Sequence, residues 1–289
     1  MKDLVIVFAR KKERYAPIAD AIVKASNSMG FDIKFYGDDL RGYKNIIIFD
    51  NRMKRVKKLI LCDDNAKVGW WMNDLRPPKY LSGSKISEQI THIFLCNIEY
   101  LDKYARRFNK EAYYMPQAGH ELYNKYGRTI DENIVFIGSI LNQNYHYNRK
   151  AYIKYLQPLG SKHIYGERTS YDMDYVYRNT PISLSISLPV EGYTSNRTYN
   201  ILASKGFALV LYYPGLEKQF KNGEHLVWFQ NKEEAYALAE YYINHKEDRD
   251  RIAQNGYNIF VRKHRVNHRI QNMYDILKGK TNKFYGYNI

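Results

Sequence analysis

Long apolar runs and cysteines are both scarce in this chain of 289 residues. No apolar stretch approaches the roughly 20 residues that a helix needs to span a bilayer, so we expect no membrane insertion. The two cysteines, Cys62 and Cys96, lie in apolar, strand-like segments. They indicate buried thiols in a reducing compartment, because a disulfide scaffold uses more cysteines in a shorter chain. We therefore expect a cytoplasmic protein, in the host-cell cytoplasm if it is viral.

Acidic residues are also few relative to basic ones, with 30 Asp and Glu against 45 Lys and Arg and a net charge of +15. This charge predicts a polyanionic partner such as duplex DNA, another anionic polymer or a membrane surface, or else phosphorylated substrates. A basic surface without a specific partner is the alternative. The 29 tyrosines have two interpretations: they reflect the nucleotide bias of an AT-rich genome, or they stack on sugars or bases.

Short apolar runs alternate with amphipathic stretches along the whole chain. Residues 4–9 and 45–50 predict buried strands, and residues 14–29 predict a helix that Gly30 ends. The alternation restarts with a strand at 133–137 and closes with helices that reach residue 277. We therefore predict an α/β protein of two Rossmann-like, doubly wound domains facing each other across a cleft. The domains are expected at residues 1–125 and 126–289, with the last helix crossing back to the first domain; the oligomeric state is left open.

Residues 192–207 carry the clearest indication of chemistry. A polar loop leads into a short helix that ends at Gly206, before a buried strand. Ser195 is suited to cap this helix, whose free amides and positive dipole end can bind a phosphate or diphosphate. Arg197 lies in the first turn, where its guanidinium can neutralise a leaving diphosphate. An ordinary capped helix with a surface arginine is the alternative.

Five segments of the second half resemble, in order, the donor domain of GT-B glycosyltransferases related to CgeB-like proteins and to the group 1 transferases. They are residues 135–139 (Val-Phe-Ile-Gly-Ser), 164–166, 196–206, 213–217 with Phe220 and 223–227, and the stretch 233–256 with Arg269. The third segment, Asn-Arg-Thr-Tyr-Asn-Ile-Leu-Ala-Ser-Lys-Gly, resembles the family pattern Arg-x-Phe-Glu-x-x-Ala-x-x-Gly. In the first half, residues 70–74 and 115–118 resemble the CgeB-like N-terminal domain less closely.

This resemblance implies a glycosyltransferase that uses a nucleotide-diphosphate sugar, such as a UDP-sugar, with no further cofactor and no obligatory metal. Together with the helix start, it implies donor contacts from Gly138, Ser139, Tyr165, Gly166, Ser195, Asn196, Arg197, Thr198 and Asn200. The family usually has a glutamate at the position of Asn200, and this acid is understood to hold the donor ribose. Glu191 is either a displaced equivalent that approaches the sugar or a loop acid.

Sugar transfer with inversion also requires a base near the acceptor hydroxyl. Asp74, just after a predicted strand, is the leading candidate. Asp50, at another strand end, and His120 are further candidates, and Glu191 is a fourth catalytic candidate. A structural role is the alternative for each of them. Trp70 and Trp71 could form a platform for the acceptor, although adjacent strand residues face opposite sides of a sheet.

The acceptor remains open among several interpretations. The basic charge favours DNA with a hydroxymethylated base, as in phage DNA glycosyltransferases of this architecture, and such a base has to be flipped out of the duplex. A polysaccharide or a protein is the other enzymatic interpretation. Asn200 also allows a non-catalytic module that kept the fold and binds nucleic acid or nucleotide sugar. A nucleotide-sugar epimerase is a third hypothesis.

Overall fold

The computed structural model describes residues 2–8, 17–50, 60, 62–76, 86–121, 131–140, 148–164 and 173–286. The chain forms two compact units, one of Met1–Gln117 with Val266–Tyr285 and one that contains Ala118–Arg265. The domain boundary predicted at 125–126 lies outside the described residues and stays a prediction. None of the helices in these ranges combines the length and apolar composition that crossing a bilayer requires.

The first unit is built on a parallel sheet with the order β2-β1-β3-β4-β5-β6. Its strands are β1 (Lys2–Phe8), β2 (Asp32–Phe35), β3 (Tyr43–Phe49), β4 (Lys67–Met72), β5 (His92–Leu95) and β6 (Glu111–Tyr114). Its helices are α1 (Pro17–Ser28), α2 (Leu101–Phe108) and, after the chain returns from the second unit, α8 (Val266–Leu277). Ile46 and Ile47 are fully buried although they point to opposite faces of β3, as expected of a central parallel strand.

Helix α8 packs on α1, β3 and β4 within the first unit. Its Arg269 is fully buried, and Nε donates to the carbonyl oxygen of Pro116 at 3.1 Å while Nη2 donates to that of Gln117 at 3.1 Å. The guanidinium also lies 4.6 Å from the ring centre of Phe284. These contacts fix the last helix to the end of the first segment of this unit.

The second unit contains a parallel sheet with the order β11-β10-β9-β7-β8. The strands are β7 (Ile134–Ile137), β8 (Ser161–Ile164), β9 (Ile182–Ser185), β10 (Ala208–Leu211) and β11 (Val227–Phe229). The helices are α3 (Arg149–Tyr155), α4 (Met173–Asn179), α5 (Asn196–Ala203), α6 (Lys232–Asn244) and α7 (Lys246–Lys263), with a 3₁₀ turn at Gln157–Leu159. The prediction of parallel α/β sheets is therefore confirmed in both units.

Strand β7 is the centre of the second unit's core. Ile134 and Phe136 belong to one hydrophobic cluster, together with side chains of α3 and α6. Val135 and Ile137 belong to another, with side chains of α4, α5 and α7. Because both faces of β7 are covered by helices, its carboxyl end is held rigidly between neighbouring strands.

Candidate functional site

The candidate site lies at the carboxyl edge of the second sheet, between β7 and β9. From β7 the chain passes to β8 on one side and then to β9 on the other side. Such a reversal of strand order leaves a crevice beyond the carboxyl ends, where ligands bind in open α/β sheets. The segments 138–139 and 186–195 leave the sheet here, and the second leads directly into α5.

Helix α5 begins at this edge, where the amide of Thr198 already donates to the carbonyl oxygen of Ser195 at 3.0 Å. Ser195 occupies the N-cap position with extended backbone angles, φ −71° and ψ 152°, but its hydroxyl caps no helix amide. The hydroxyls of Ser195 and of Ser187 are buried and have no hydrogen-bond partner within the described part of the chain. Buried hydroxyls are normally paired, so one unpaired hydroxyl at the helix N-cap and another in the loop after β9 make this segment suited to a polar ligand.

Arg197 lies in the first turn of α5 and joins the two central strands. Its Nε donates to the carbonyl oxygen of Ile137 at 2.7 Å, and its Nη1 donates to that of Ile186 at 3.2 Å. The guanidinium lies 4.4 Å from the ring centre of Phe136. Burial lowers the pKa of Arg197, while Tyr177 and Tyr193 oppose this shift. Arg197 therefore links the ends of two strands and is also a candidate residue for binding the diphosphate.

A second arginine, Arg149, approaches the same carbonyl from the first turn of α3. Its Nε donates to Ile186 O and its Nη1 to Ser139 O, both at 2.9 Å. Burial, and next the charge of Arg197, lower the pKa of Arg149 to about 9. No carboxylate among the described residues raises the pKa of either arginine. Two neighbouring guanidinium groups thus share this edge with no acidic partner in the part of the chain that the structure describes, which favours an anionic ligand.

Gly138 is required by this arrangement. Its backbone has φ +147°, and a Cβ at this position would lie 2.3 Å from Nη2 of Arg197. Its amide donates to Ile164 O at 3.0 Å, and its carbonyl lies 2.6 Å from Nε2 of His163. We predicted that glycine permits close approach of a diphosphate; in the structure it permits the close approach of Arg197.

Two further predicted residues meet at the next turn of α5. The side-chain oxygen of Asn200 accepts a hydrogen bond from the backbone amide of His120 at 3.3 Å, and both residues are buried. Asn200 therefore ties the segment around His120 to α5. Thr198 is also buried, and its hydroxyl lies 2.9 Å from that of Ser185 in β9. This contact packs α5 on the sheet.

The other predicted donor residues are distributed around the same edge. Ser139 and Asn196 are partly buried there, and Ser139 accepts from Arg149. Glu191 lies in the loop before α5, with its Oε1 3.9 Å from Nζ of Lys218. Tyr165 and Gly166 lie outside the described residues. The roles of all these residues stay predictions.

The remaining catalytic candidates belong to the first unit, at the carboxyl ends of adjacent strands. Asp50 follows β3 and is buried, and its amide donates to Trp71 O at 3.4 Å. Asp74 follows β4, with Oδ2 3.0 Å from Nη2 of Arg76. Burial raises the pKa of Asp74 although Arg76 opposes the shift. The expectation of an acceptor platform is wrong, because Trp70 and Trp71 are both fully buried in the sheet.

The expectation of no obligatory metal is based on the absence of an Asp-x-Asp motif, and this reason is wrong, because two such tripeptides occur, at 172–174 and 248–250. Asp174 pairs with Arg178, Asp248 with Arg251 at 3.0 Å, and Asp250 with Lys246. In the ranges that the structure describes, no group of three or more His, Cys, Asp and Glu side chains is arranged to hold a metal ion. The residues described thus present no metal site, and the metal-free reaction stays a prediction.

Comparison with solved structures identifies the class. HepE from Anabaena, solved with UDP and glucose, has a TM-score of 0.64 and 8% identity, covering 96% of this chain and 100% of HepE. T4 phage BGT, solved with UDP-glucose, has a TM-score of 0.60 and 12% identity, covering 96% and 99%. Sucrose-phosphate synthase from Thermosynechococcus elongatus has a TM-score of 0.62 and 9% identity, covering 97% and 100%. The TM-scores and coverage establish the fold, which is that of the GT-B glycosyltransferases, and the low identities limit the conclusion to the fold.

The family follows from the sequence itself. The family model described as glycosyl transferase-like matches residues 123–275, more than half of the chain. The chain belongs to this family. No curated protein sequence matched the chain. The prediction of a glycosyltransferase of GT-B type is thereby confirmed at the level of family and fold.

Proposed function

We propose that the chain transfers a sugar from a nucleoside-diphosphate sugar to an acceptor hydroxyl. The observation that carries this proposal is the pair of guanidinium groups at the start of α5, which have no acidic partner in the described residues. The amides of the first turn and Arg197 and Arg149 would bind the diphosphate. That HepE and T4 phage BGT were solved with UDP or UDP-glucose supports a UDP-sugar as donor.

Charge stabilisation is the main chemical contribution of this edge. When the bond between the anomeric carbon and the diphosphate oxygen breaks, the leaving diphosphate gains negative charge. Two guanidinium groups and the positive end of α5 stabilise that charge more strongly in the transition state than in the ground state. Arg197 is already held by two backbone carbonyls, so little reorganisation is needed during the reaction.

The acceptor hydroxyl must lose a proton, and Asp74 is our leading candidate for the base. Its raised pKa is the kind of shift found at general bases. Asp50, His120 and Glu191 are the alternatives. For the donor sugar and nucleoside we propose further contacts from eight residues: Gly138, Ser139, Tyr165, Gly166, Ser195, Asn196, Thr198 and Asn200.

We propose a hydroxymethylated base of DNA as the acceptor, on the strength of the net charge of +15. A polysaccharide or protein acceptor is the competing interpretation. Cys62 and Cys96 are both free thiols, which supports a reducing compartment, the cytoplasm. A non-catalytic module is the alternative class, since Asn200 is engaged with the backbone of His120 and carries no charge.

Donor binding is tested by calorimetry with UDP-glucose, UDP and other nucleotide sugars. Arg197→Gln should weaken diphosphate binding at least tenfold, because a hydrogen bond to a charged group contributes about 1.5–3 kcal/mol. Arg251→Gln, which removes an exposed arginine of α7, is the matched control. Wild-type affinity in Arg197→Gln, or no binding of any diphosphate, would refute the donor site. Product analysis with hydroxymethylated and unmodified DNA then tests the acceptor. Donor binding without turnover would favour the non-catalytic binding module.

A further inference from the structure

A groove lies at the opposite edge of the first unit's sheet, where the strands begin. Lys67, His92 and Glu111 are the first residues of β4, β5 and β6, and they face the segment 276–282 at the end of α8. The cavity between them has a volume of about 790 Å³. A neighbouring cavity of about 470 Å³ is lined by the starts of β1 and β3, and it shares Lys67 and Lys278 with the first. We call the two together the amino-edge groove.

The lysines of this groove are largely unneutralised. They are Lys44, Lys67, Lys110 and Lys278. Lys44 and Lys67 are exposed and have no hydrogen bond or ion pair with any residue that the structure describes. Lys110 donates to a backbone carbonyl, that of Glu88, at 3.0 Å. Three of the four ammonium groups therefore have no carboxylate within ion-pair distance among the described residues, although the charge of Lys44 helps to lower the pKa of Asp3.

The two acids of the groove are already engaged. Asp3 accepts from the hydroxyl of Tyr274 and lies 3.4 Å from Nζ of Lys278. Glu111 accepts from the hydroxyl of Tyr113 at 2.5 Å and lies 3.5 Å from Nε2 of His92. The net field along the groove is positive, since its four lysines outnumber its two acids.

One wall of the groove is aromatic. The rings of His92 and Tyr113 stack with their centres 5.5 Å apart and their planes 19° apart. Thr91 holds Nδ1 of His92 through a contact of 2.7 Å, and Glu111 holds the hydroxyl of Tyr113. Both rings are thus fixed beside the lysines; His92 is buried, whereas Tyr113 is partly exposed, so the ring of Tyr113 suits stacking with a base whose phosphate contacts the lysines.

We propose that the amino-edge groove binds the phosphodiester backbone of a nucleic-acid strand. The ammonium groups extend over two neighbouring cavities that share Lys67 and Lys278, which suits phosphates repeated along a chain better than the single cluster of a phosphorylated metabolite. Exposed asparagines along the groove, Asn65, Asn109 and Asn282, add donors for phosphate and sugar oxygens. Binding here goes beyond sugar transfer, since it requires neither the donor nor a modified base.

The test is fluorescence anisotropy of labelled single-stranded and duplex 20-mers with the full chain, at several salt concentrations. Lys44→Gln with Lys67→Gln should reduce the slope of log K against log salt by about 1.8 for duplex or about 1.4 for single strands. The matched control is Lys221→Gln with Lys246→Gln, which removes the same charge from lysines paired with acids in the second unit. The control pair should leave the slope within about 0.3 of the wild type.

Tyr113→Leu should weaken single-strand binding about tenfold, whereas Tyr113→Phe keeps the ring and should bind within about twofold of wild type. Thermal unfolding and UDP-glucose affinity verify that each variant is folded. Equal slopes for the two lysine pairs, or no wild-type binding at 50 mM salt, would overturn the groove proposal while leaving the donor site standing. Competition by a free mononucleotide at micromolar concentration would overturn it in favour of a small phosphorylated ligand. If the wild-type protein binds nucleic acid but does not bind UDP-glucose, the proposed function alone is refuted.

Discussion

Replacing Gly138 by alanine is the sharpest test of how Arg197 is held. The new Cβ would lie 2.3 Å from Nη2 of Arg197, on a backbone with φ +147°. Backbone strain of this kind costs about 1–3 kcal/mol. Moving the guanidinium breaks at least one of its bonds to Ile137 O and Ile186 O, at about 1.5–3 kcal/mol. We therefore expect Gly138→Ala to lose about 2.5–6 kcal/mol of unfolding free energy.

Gly223→Ala is the control, because Gly223 has φ +72° and no atom within 4 Å of a Cβ placed there. Urea unfolding should give Gly138→Ala an excess destabilisation of about 1.5–3 kcal/mol over this control. Calorimetry should show a loss of UDP-glucose affinity in Gly138→Ala alone. The shorter side chain of Arg197→Gln avoids the clash, so the excess should disappear in that background.

Two results would refute the reasoning behind this prediction. If the excess persists in the Arg197→Gln background, the cost arises from the backbone of Gly138 and not from the guanidinium. If Gly138→Ala is destabilised as expected but binds UDP-glucose with wild-type affinity, then Arg197 has only a structural role, and the diphosphate binds elsewhere.

Three further predictions concern pH and packing. UDP-glucose affinity should fall as pH rises through about 9, because Arg149 loses its proton in the free protein while a bound diphosphate favours the charged form. The uracil ring of the ligand also loses a proton at high pH, so calorimetry of Arg149→Met measures the part of the pH dependence that does not come from Arg149. An identical pH profile in that variant would contradict the prediction. Tyr199→Phe should cost about 1–3 kcal/mol in urea unfolding, because the buried side-chain oxygen of Gln219 loses a donor at 2.5 Å; an unchanged midpoint would contradict it. If Asp74 is the base, Asp74→Asn should lower kcat with little change in KM. Because burial raises the pKa of Asp74, the kcat of the wild type should begin to fall at a pH above ~3.9, the ordinary pKa of aspartate, as the pH is lowered. A variant with wild-type kcat would exclude this role.

Local patterns were sufficient to predict most elements of the fold. The amphipathic period of Val266–Leu277 predicts the last helix with the bounds observed. The apolar run at residues 182–188 predicts a strand over its whole length, whereas β9 is Ile182–Ser185, because the apolar run continues into the loop at the carboxyl edge. Helix Met173–Asn179 was missed, since its short sequence has no clear apolar period. The Asp174–Arg178 pair, spaced by four residues, was the available signal.

The candidate site was predicted only in part, for a physical reason. Residues 195–200 share one helix start, so their association follows from the sequence. Arg149 was missed because its hydrogen bond to Ile186 O joins residues 37 positions apart. A basic residue in the first turn of the helix after β7 was the available signal, but a local pattern does not show that its side chain turns back to the sheet edge.

Buried arginines that bind carbonyls are not by themselves evidence for an anion site. Arg269 is fully buried and also donates to two carbonyls, yet it fixes a helix within the first unit. Arg149 and Arg197 differ because the charge of one lowers the pKa of the other, and no described acid compensates. Carbonyl dipoles offset only part of the cost of bringing two such charges together. A diphosphate would remove that repulsion, so the same arrangement that destabilises the free protein favours binding of the donor over the uncharged sugar.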